Sequence, residues 1–333
     1  MKRALFTYHI YTAIFLVLLV PVSTFAGTVI SDTTKGAVSQ TLSLNTAETE
    51  NLEPYMTREF VLSGPGILRV STLAGNIEVE RVPDSSNVRV ELYVDRGYAF
   101  WSNTKSLDNY RITMLQRGNE VLASVEQKSK EAGFFSDQMT FSYKIYVPKT
   151  MSSEISTSAG DILISGMEGQ HMIKTGGGKL TINKISGKLG AYSASGNIEI
   201  SSSSGTLYAQ TEAGKLSVQD SQGEIRLKTN AGDITAQRIS GSMLARTSSG
   251  NISANFLTVS TGISFDVNSG NIDLTIPKKG YDLLLRGSDI EIFDGENFSG
   301  TRNKTEVRGA LRGGGATINL ITKSGEVTLD LEN

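Results

Sequence analysis

Residues 196–213 read GNIEISSSSGTLYAQTEA, and residues 214–231 read GKLSVQDSQGEIRLKTNA. In each segment one glycine begins the unit and a second glycine follows nine residues later. Apolar and polar residues alternate after each glycine, and this period of two is typical of a strand with one buried face. The glycines mark the bends, where the backbone needs a positive φ or a close approach. Each unit therefore predicts two strands, one after each of its glycines.

The nine-residue spacing extends through the middle of the chain. Glycine occurs at every ninth position from Gly160 to Gly250, eleven times in succession, and Gly262 and Gly270 continue the pattern with small shifts. In-register stacking of 18-residue coils aligns aliphatic ladders, one of which contains Ile162, Leu180, Ile198, Leu216, Ile234, Ile252 and Ile272. A single coil cannot bury its apolar face, but a stack can. Because parallel crossovers are almost always right-handed, the sequence predicts an all-β, right-handed parallel β-solenoid (β-helix) with two strands per 18-residue coil.

The residue that follows the first glycine of each coil agrees with this register. These positions hold Asp161, Lys179, Asn197, Lys215, Asp233, Asn251 and Asn271. Neighbours in this series would lie about 4.8 Å apart, and no two neighbours carry charges of the same sign. We expect Asp161 to face Lys179 and Lys215 to face Asp233, each surface pair contributing less than about 1 kcal/mol.

Both ends of the repeat are less regular. The motif first occurs at residues 72–79, and looser copies surround Ile290 and Val327. Residues 83–154 contain longer strand-like runs, a hairpin turn at residues 117–119 and a strand that ends before Pro148. They predict an antiparallel-rich N-terminal excursion that caps the solenoid, with aromatic clusters at 97–101 and 134–135 packing it in place. We expect irregular turns in residues 276–312.

The N-terminal segment at 1–26 differs from the rest of the chain. Lys2 and Arg3 precede an apolar stretch, and Thr24 and Ala26 occupy the −3 and −1 positions of a cleavage site. This arrangement predicts a secretory signal peptide, so that no membrane span remains after cleavage. The expected organisation is a signal peptide at 1–26, a flexible leader at 27–54, an N-terminal β region or cap at 55–154, and the solenoid with irregular C-terminal coils at 155–333.

Composition excludes several classes of function. The chain has no cysteine, and His171 is the single histidine outside the signal peptide, so disulfides and two-histidine metal sites are excluded. Loss of Lys2 and Arg3 changes the formal net charge from −2 to −4, which gives no electrostatic case for nucleic-acid binding. We expect no metal and no cofactor.

Catalysis is a weaker interpretation of the same sequence. A β-solenoid glycosidase needs two nearby carboxyl groups. Among the outward positions of the first half-coils in the regular region, Glu199 is the one carboxylate. Calcium-binding nonapeptide repeats need aspartates that recur in the turns, and this pattern is missing. His171 falls on an inward ladder position, where a structural role is expected. The sequence therefore predicts no catalytic residues.

The outward face of the second half-coil is more distinctive. It carries basic and aromatic residues with no acid among the positions assigned to it, and the candidate ligand face comprises Lys174, Tyr192, Tyr208, Arg226, Lys228 and Arg246. Cations attract sulfate, phosphate or carboxylate groups, and tyrosines offer stacking area. The hypothesis is that this face binds an anionic envelope polysaccharide or a partner protein. The alternative is a solvated solenoid face with scattered charges.

The recurring Ser/Thr-x-Ala/Ser-Gly-Asn/Asp-Ile pattern occurs at residues 72–77, 157–162, 193–198, 229–234 and 247–252. With the order of parts described above, it resembles a bacterial family of adhesin-like proteins with β-strand repeats, a domain of unknown function, over roughly residues 58–331. The resemblance implies a surface or envelope role and supplies no catalytic residues to carry over.

The function expected from the sequence is that of a non-enzymatic, exported, adhesin-like or structural protein, in the periplasm or at the cell surface. The alternatives are a carbohydrate-active β-helix enzyme and an envelope sensor or regulator.

The ladder assignment can be tested with two adjacent substitutions. Ile198→Asp should destabilise the protein by about 3 kcal/mol or more, because a charge would enter the apolar core. Glu199→Ala should cost less than about 1 kcal/mol, because its side chain is assigned to the surface. Urea unfolding measures both, and equal losses would show that the inward and outward assignments are wrong.

Overall fold

The computed structural model describes residues 53–83, 86–96, 106–128 and 139–332. These residues form 25 β-strands and one short 3₁₀ helix, Leu107–Asn109. The expected signal peptide, most of the expected leader and the two aromatic clusters lie outside the described residues. None of the helical structure in the described ranges is long and apolar enough to cross a membrane.

The middle of the chain forms two rows of parallel strands. The long-strand row contains β8 (Met151–Ala159), β10 (Glu168–Gly177), β12 (Ser186–Ser195), β14 (Ser204–Ala213) and β16 (Gln222–Ala231). The short-strand row contains β9 (Ile162–Ser165), β11 (Leu180–Asn183), β13 (Ile198–Ser201), β15 (Leu216–Gln219) and β19 (Ile272–Pro277), while β17 (Ile234–Ser249) and β18 (Ile252–Ser269) contribute to both rows. Ile198 pairs with Leu180 on one side and Leu216 on the other, which confirms parallel stacking with an 18-residue coil.

The predicted alternation places the core between the two rows. Ile198 and Ile200 of the short-strand row are 1% and 2% exposed, whereas Glu199 between them reaches the surface. Leu207 and Ala209 of the long-strand row are equally buried. Each coil therefore adds one rung of aliphatic side chains to a continuous core, in line with the sequence ladders.

Glycine at the turns is required by the contact between coils. Gly178 has φ +143°, and a Cβ atom there would lie 2.1 Å from the carbonyl oxygen of Gly160 in the preceding coil. A Cβ atom at Gly205 would likewise lie 2.0 Å from the carbonyl oxygen of Gly187. Any side chain at these positions would force neighbouring coils apart, so the nine-residue glycine repeat follows from close backbone stacking.

Side chains that bond to the neighbouring coil reinforce these turns. Buried hydroxyls of Thr175, Thr211, Thr229 and Thr247 donate to the carbonyl oxygens of Gly160, Gly196, Gly214 and Gly232 at 3.0–3.2 Å. A hydroxyl bonded in this way satisfies a backbone acceptor that the turn would otherwise leave buried and unpaired.

The residues after the first glycines behave in part as expected. Lys215 pairs with Asp233 at 3.5 Å, as predicted. The expected Asp161–Lys179 ion pair is wrong: the Lys179 ammonium pairs with Glu199 at 2.7 Å, and Asp161 Oδ1 accepts the backbone N–H of Lys179. Because the Asp161 carboxylate binds the backbone N–H of Lys179, the side chain of Lys179 is free to reach Glu199 in the following coil.

The N-terminal region contains β1 (Met56–Val61), β2 (Gly66–Ala74), β3 (Ile77–Arg81), β4 (Asn87–Asp95), β5 (Tyr110–Arg117), β6 (Glu120–Gln127) and β7 (Thr140–Val147). Its pairing is mixed. β4 is antiparallel to β1 and β7, and β5 forms the predicted hairpin with β6. However, β6 and β7 run parallel to β2 and β3, which pair on their other side with β8 and β9. The first coil in the chain, β2 and β3, therefore lies between β6 and β7 on one side and β8 and β9 on the other, and the expected boundary at 154/155 falls inside β8.

The C-terminal end has a similar inversion. It contains β20 (Tyr281–Arg286), β21 (Asp289–Phe293), β22 (Phe298–Arg302), β23 (Glu306–Leu311), β24 (Ala316–Ser324) and β25 (Glu326–Glu332). β24 and β25 pair with β18 and β19 on one side and with β20 and β21 on the other. β22, β23 and β20 form an antiparallel set. The expected irregular turns at 276–312 lie between these strands, with positive φ at Asp294, Asn297 and Arg312, although strands occupy most of the segment.

Two adjacent glycines test the turn argument. Gly178→Ala should cost about 2–4 kcal/mol of stability, because it adds a side chain both at positive φ and against a backbone oxygen. Gly177→Ala should cost less than about 1 kcal/mol, because the nearest atom to its Cβ, the carbonyl oxygen of Ser195, is 4.0 Å away. Urea denaturation compares them, and similar losses for the two variants would contradict the argument.

Candidate functional site

The six candidate residues lie together on the outward side of the long-strand row. Pairing aligns Met172, Gly190, Tyr208, Arg226 and Leu244 in one column. The adjacent column contains Lys174, Tyr192, Gln210, Lys228 and Arg246. We call Lys174, Tyr192, Tyr208, Arg226, Lys228 and Arg246 the basic–tyrosine stripe. Its members come from successive coils, so backbone pairing fixes their spacing at about 4.8 Å per coil.

The tyrosines form an aromatic platform. The rings of Tyr192 and Tyr208 lie 5.3 Å apart between centroids at an interplanar angle of 38°, and the Lys174 ammonium is 5.8 Å from the centre of the Tyr192 ring. Burial, with a smaller contribution from Tyr192, raises the pKa of the Tyr208 hydroxyl. Gly190 leaves room for this arrangement, since a Cβ there would come within 3.2 Å of both Tyr192 and Met172.

The cations of the stripe differ in how far they are neutralised. Arg226 is paired with Glu224, with Nε 3.0 Å from Oε1, and Arg246 lies 3.9 Å from Asp266. The expectation of a face without acids is therefore wrong: Glu224 precedes Arg226 by two residues on the same side of its strand, and the Asp266 column position lies beyond the last regular coil. Within the described ranges, Lys228 forms no ion pair.

A shallow depression of about 320 Å³ adjoins the C-terminal half of the stripe. Ser264 of β18 lies between Leu244 of β17 and Asn319 of β24, and Arg226 also lines the depression. The small side chain of Ser264 leaves a gap between these taller neighbours.

His171 is a core residue. It is 3% exposed on the inward side of β10, and its Nδ1 lies 2.9 Å from the hydroxyl of Ser153 in the preceding coil. Burial lowers the pKa of its imidazole to about 4. The buried ring has no access to a substrate, which agrees with the expected structural role.

The sequence matches the family Toastrack DUF4097 over residues 100–330. The chain belongs to this family. The solved structures similar to it include a proposed adhesin from Bacteroides fragilis, with 14% identity and a TM-score of 0.34, covering 83% of this chain and 96% of that one. A proposed adhesin from Parabacteroides distasonis has 12% identity and a TM-score of 0.37, covering 83% and 96%.

A proposed lipid-binding protein from Parabacteroides distasonis has 14% identity and a TM-score of 0.31, covering 85% of this chain and 98% of that one. No curated protein matches the chain. Toastrack membership agrees with the resemblance stated above, but the structural similarities are too low to transfer a ligand.

Sequence reasoning missed an ionic network on the outer side of the N-terminal strands of this Toastrack protein. Glu91 of β4 is 3% exposed and accepts hydrogen bonds from Arg89 and from the Tyr93 hydroxyl, the latter at 2.8 Å. Across the sheet, Lys144 lies 3.9 Å from Glu78, and burial is the main cause of the raised pKa of Glu78. Alternation of charged residues in 87–95 was the available signal. Within the described ranges no group of acids and histidines is arranged to hold a metal.

The buried histidine makes stability depend on pH. The folded state keeps His171 neutral down to about pH 4, whereas the unfolded chain takes up the proton near pH 6.5. Where His171 is concerned, the free energy of unfolding therefore keeps its full value above pH 6.5. As the pH falls from 6.5 towards 4, protonation of the histidine in the unfolded chain lowers this free energy by about 3 kcal/mol in all.

Substitution of His171 by leucine, the residue at the next rung, should remove this part of the pH dependence. Urea unfolding at pH 7 and pH 4.5 measures the change for both proteins, and the difference between the two changes isolates the histidine from the carboxylates. An identical loss in His171→Leu would contradict the assignment.

Proposed function

We propose that this chain is a non-enzymatic binding protein of the bacterial cell envelope, and that the basic–tyrosine stripe binds an anionic polysaccharide. The observation that carries the proposal is the placement of Tyr192, Tyr208 and Lys228 in two adjacent columns on three successive coils of one sheet face. Side chains held at a fixed repeat along a parallel sheet offer repeated contacts to a polymer that lies along the stack.

The chemistry of the stripe fits such a polymer. Lys228 is exposed and unpaired within the described residues, so its ammonium can approach a sulfate, phosphate or carboxylate with little competition. The tyrosine platform offers flat apolar area to sugar rings, while the Tyr208 hydroxyl already donates to Gln210 at 2.5 Å. Arg226 and Arg246 would exchange carboxylate partners on binding, so they contribute less than Lys228.

The non-enzymatic interpretation is supported by the state of the carboxylates. Glu199, on the short-strand row, is held by Lys179, and Glu224, beside the stripe, is held by Arg226. A glycosidase needs one carboxyl group that stays protonated and a second that is free to act as base or nucleophile. Carboxylates already paired with cations suit neither role.

The remaining expectations from the sequence are part of the proposal. We propose export through the signal peptide at 1–26 and residence in the periplasm or at the cell surface. We also propose right-handed coils, since parallel strands joined by crossovers are almost always of that hand.

The ligand face can be tested with a charged polymer and its neutral counterpart. In co-sedimentation with dextran sulfate, the wild-type protein should bind in a salt-sensitive manner, and unsulfated dextran should not compete. The triple variant Arg226→Ala/Lys228→Ala/Arg246→Ala should lose at least tenfold in affinity, because three of the four cations of the stripe are gone.

A matched triple variant controls for net charge. Lys179→Ala/Lys215→Ala/Arg238→Ala removes three cations away from the stripe, two in turns and one at a positive-φ position of β17, so its affinity should stay within about twofold of wild type. Equal losses in the two triple variants would show that binding depends on net charge alone, and would contradict the proposal that the stripe is the binding face. Absence of binding at low salt would contradict the proposal that the ligand is an anionic polysaccharide.

A further inference from the structure

A cleft of about 500 Å³ lies at the N-terminal end of the basic–tyrosine stripe. It is formed where β2, β6, β8 and β10 lie side by side in the long-strand row. Its lining includes Arg69, Ser71, Leu122, Glu154, Met172 and Lys174. A volume of this order is within the range of sites that bind small molecules.

The charges around the cleft leave one cation available to a ligand. The Arg69 guanidinium pairs with two carboxylates, Glu120 with Oε1 2.6 Å from Nε and Glu154, so that this group of three carries a net negative charge. Lys174 is exposed, and within the described residues its ammonium contacts only the Tyr192 ring. A carboxylate in the cleft would therefore meet Lys174 rather than Arg69.

The uncharged part of the lining suits a sugar ring. Ser71 and Ser156 are partly buried and place hydroxyls in the middle of the cleft. Met172, which is 39% exposed, adds apolar surface at the end of the cleft where Lys174 lies, while Leu122 lies three strands away at the other end. Hydroxyl groups at the edge of a pyranose can bond to the serines, while its C–H face packs on the methionine.

We propose that this cleft binds a single acidic sugar unit, a pyranose that carries a carboxylate, at one end of the polysaccharide chain. This inference rests on the proposed function. The carboxylate pairs with Lys174, the ring occupies the cleft, and the next ring lies over the Tyr192–Tyr208 platform.

The proposal is tested by NMR of the purified protein labelled with ¹³C in its methionine methyl groups. Met172 lines the cleft, and its signal is assigned with Met172→Leu. Titration with sodium glucuronate should shift this signal in a saturable manner, and glucose should bind at least tenfold more weakly because it lacks the carboxylate. Sodium chloride at equal ionic strength controls for salt.

Two variants locate the binding. Ser156→Phe fills the cleft and should abolish the glucuronate shift, whereas Lys174→Ala should weaken it at least tenfold. Ser253→Phe, at a comparably exposed position on the short-strand row, should bind glucuronate as the wild type does. The spectra also show whether each variant is folded.

The outcomes separate this inference from the proposed function. A glucuronate shift that survives in Ser156→Phe, or equal shifts with glucose, would overturn the cleft assignment. If dextran sulfate binds through the stripe while glucuronate leaves the Met172 signal unchanged, the cleft proposal fails and the proposed function stands. A saturable shift without any binding of dextran sulfate would instead contradict the proposed function.

Discussion

The structure depends on the close approach of backbones at the glycine turns. At every ninth position from Gly178 to Gly250, a Cβ atom would lie 2.0–2.3 Å from the carbonyl oxygen of the glycine one coil earlier. This contact allows only glycine and fixes the register of each coil on the last. The aliphatic ladders and the threonine hydroxyls then follow at constant spacing, so that the burial of each rung adds to one continuous core.

The same constraint determines what the surface can do. Once the backbone spacing is fixed, outward residues form columns whose members repeat at about 4.8 Å, and their identity is free to vary without affecting the core. On the long-strand row this brings together tyrosines and cations from successive coils, and the pairing of Arg226 with Glu224 leaves Lys228 as the cation most open to a ligand. A polymer that runs along the stack can use such an array.

The sequence predicts the regular coils well because their partners follow at a constant interval. Inward and outward positions, the hairpin turn at Gly118 and the strand end before Pro148 were all predictable from local patterns. The order of coils at the two ends was not. Ile77 pairs with Ile162 and Ile272 with Val327, and a local pattern does not identify so distant a partner. Of the two ion pairs predicted, Lys215–Asp233 forms and Asp161–Lys179 does not, since a lysine can reach the coil on either side, as Lys179 shows with Glu199.

Distances between spin labels test the central claim, that each coil adds one parallel, in-register strand to each row. The chain has no cysteine, so labels can be placed on the outward column of the short-strand row at Leu163, Thr181, Ser253 and Asp273. Double electron–electron resonance should give about 19 Å between Thr181 and Ser253, about 24 Å between Thr181 and Asp273 and about 29 Å between Leu163 and Asp273, a rise of about 4.8 Å per coil. Distances that fail to increase by this step with each added coil would contradict the account.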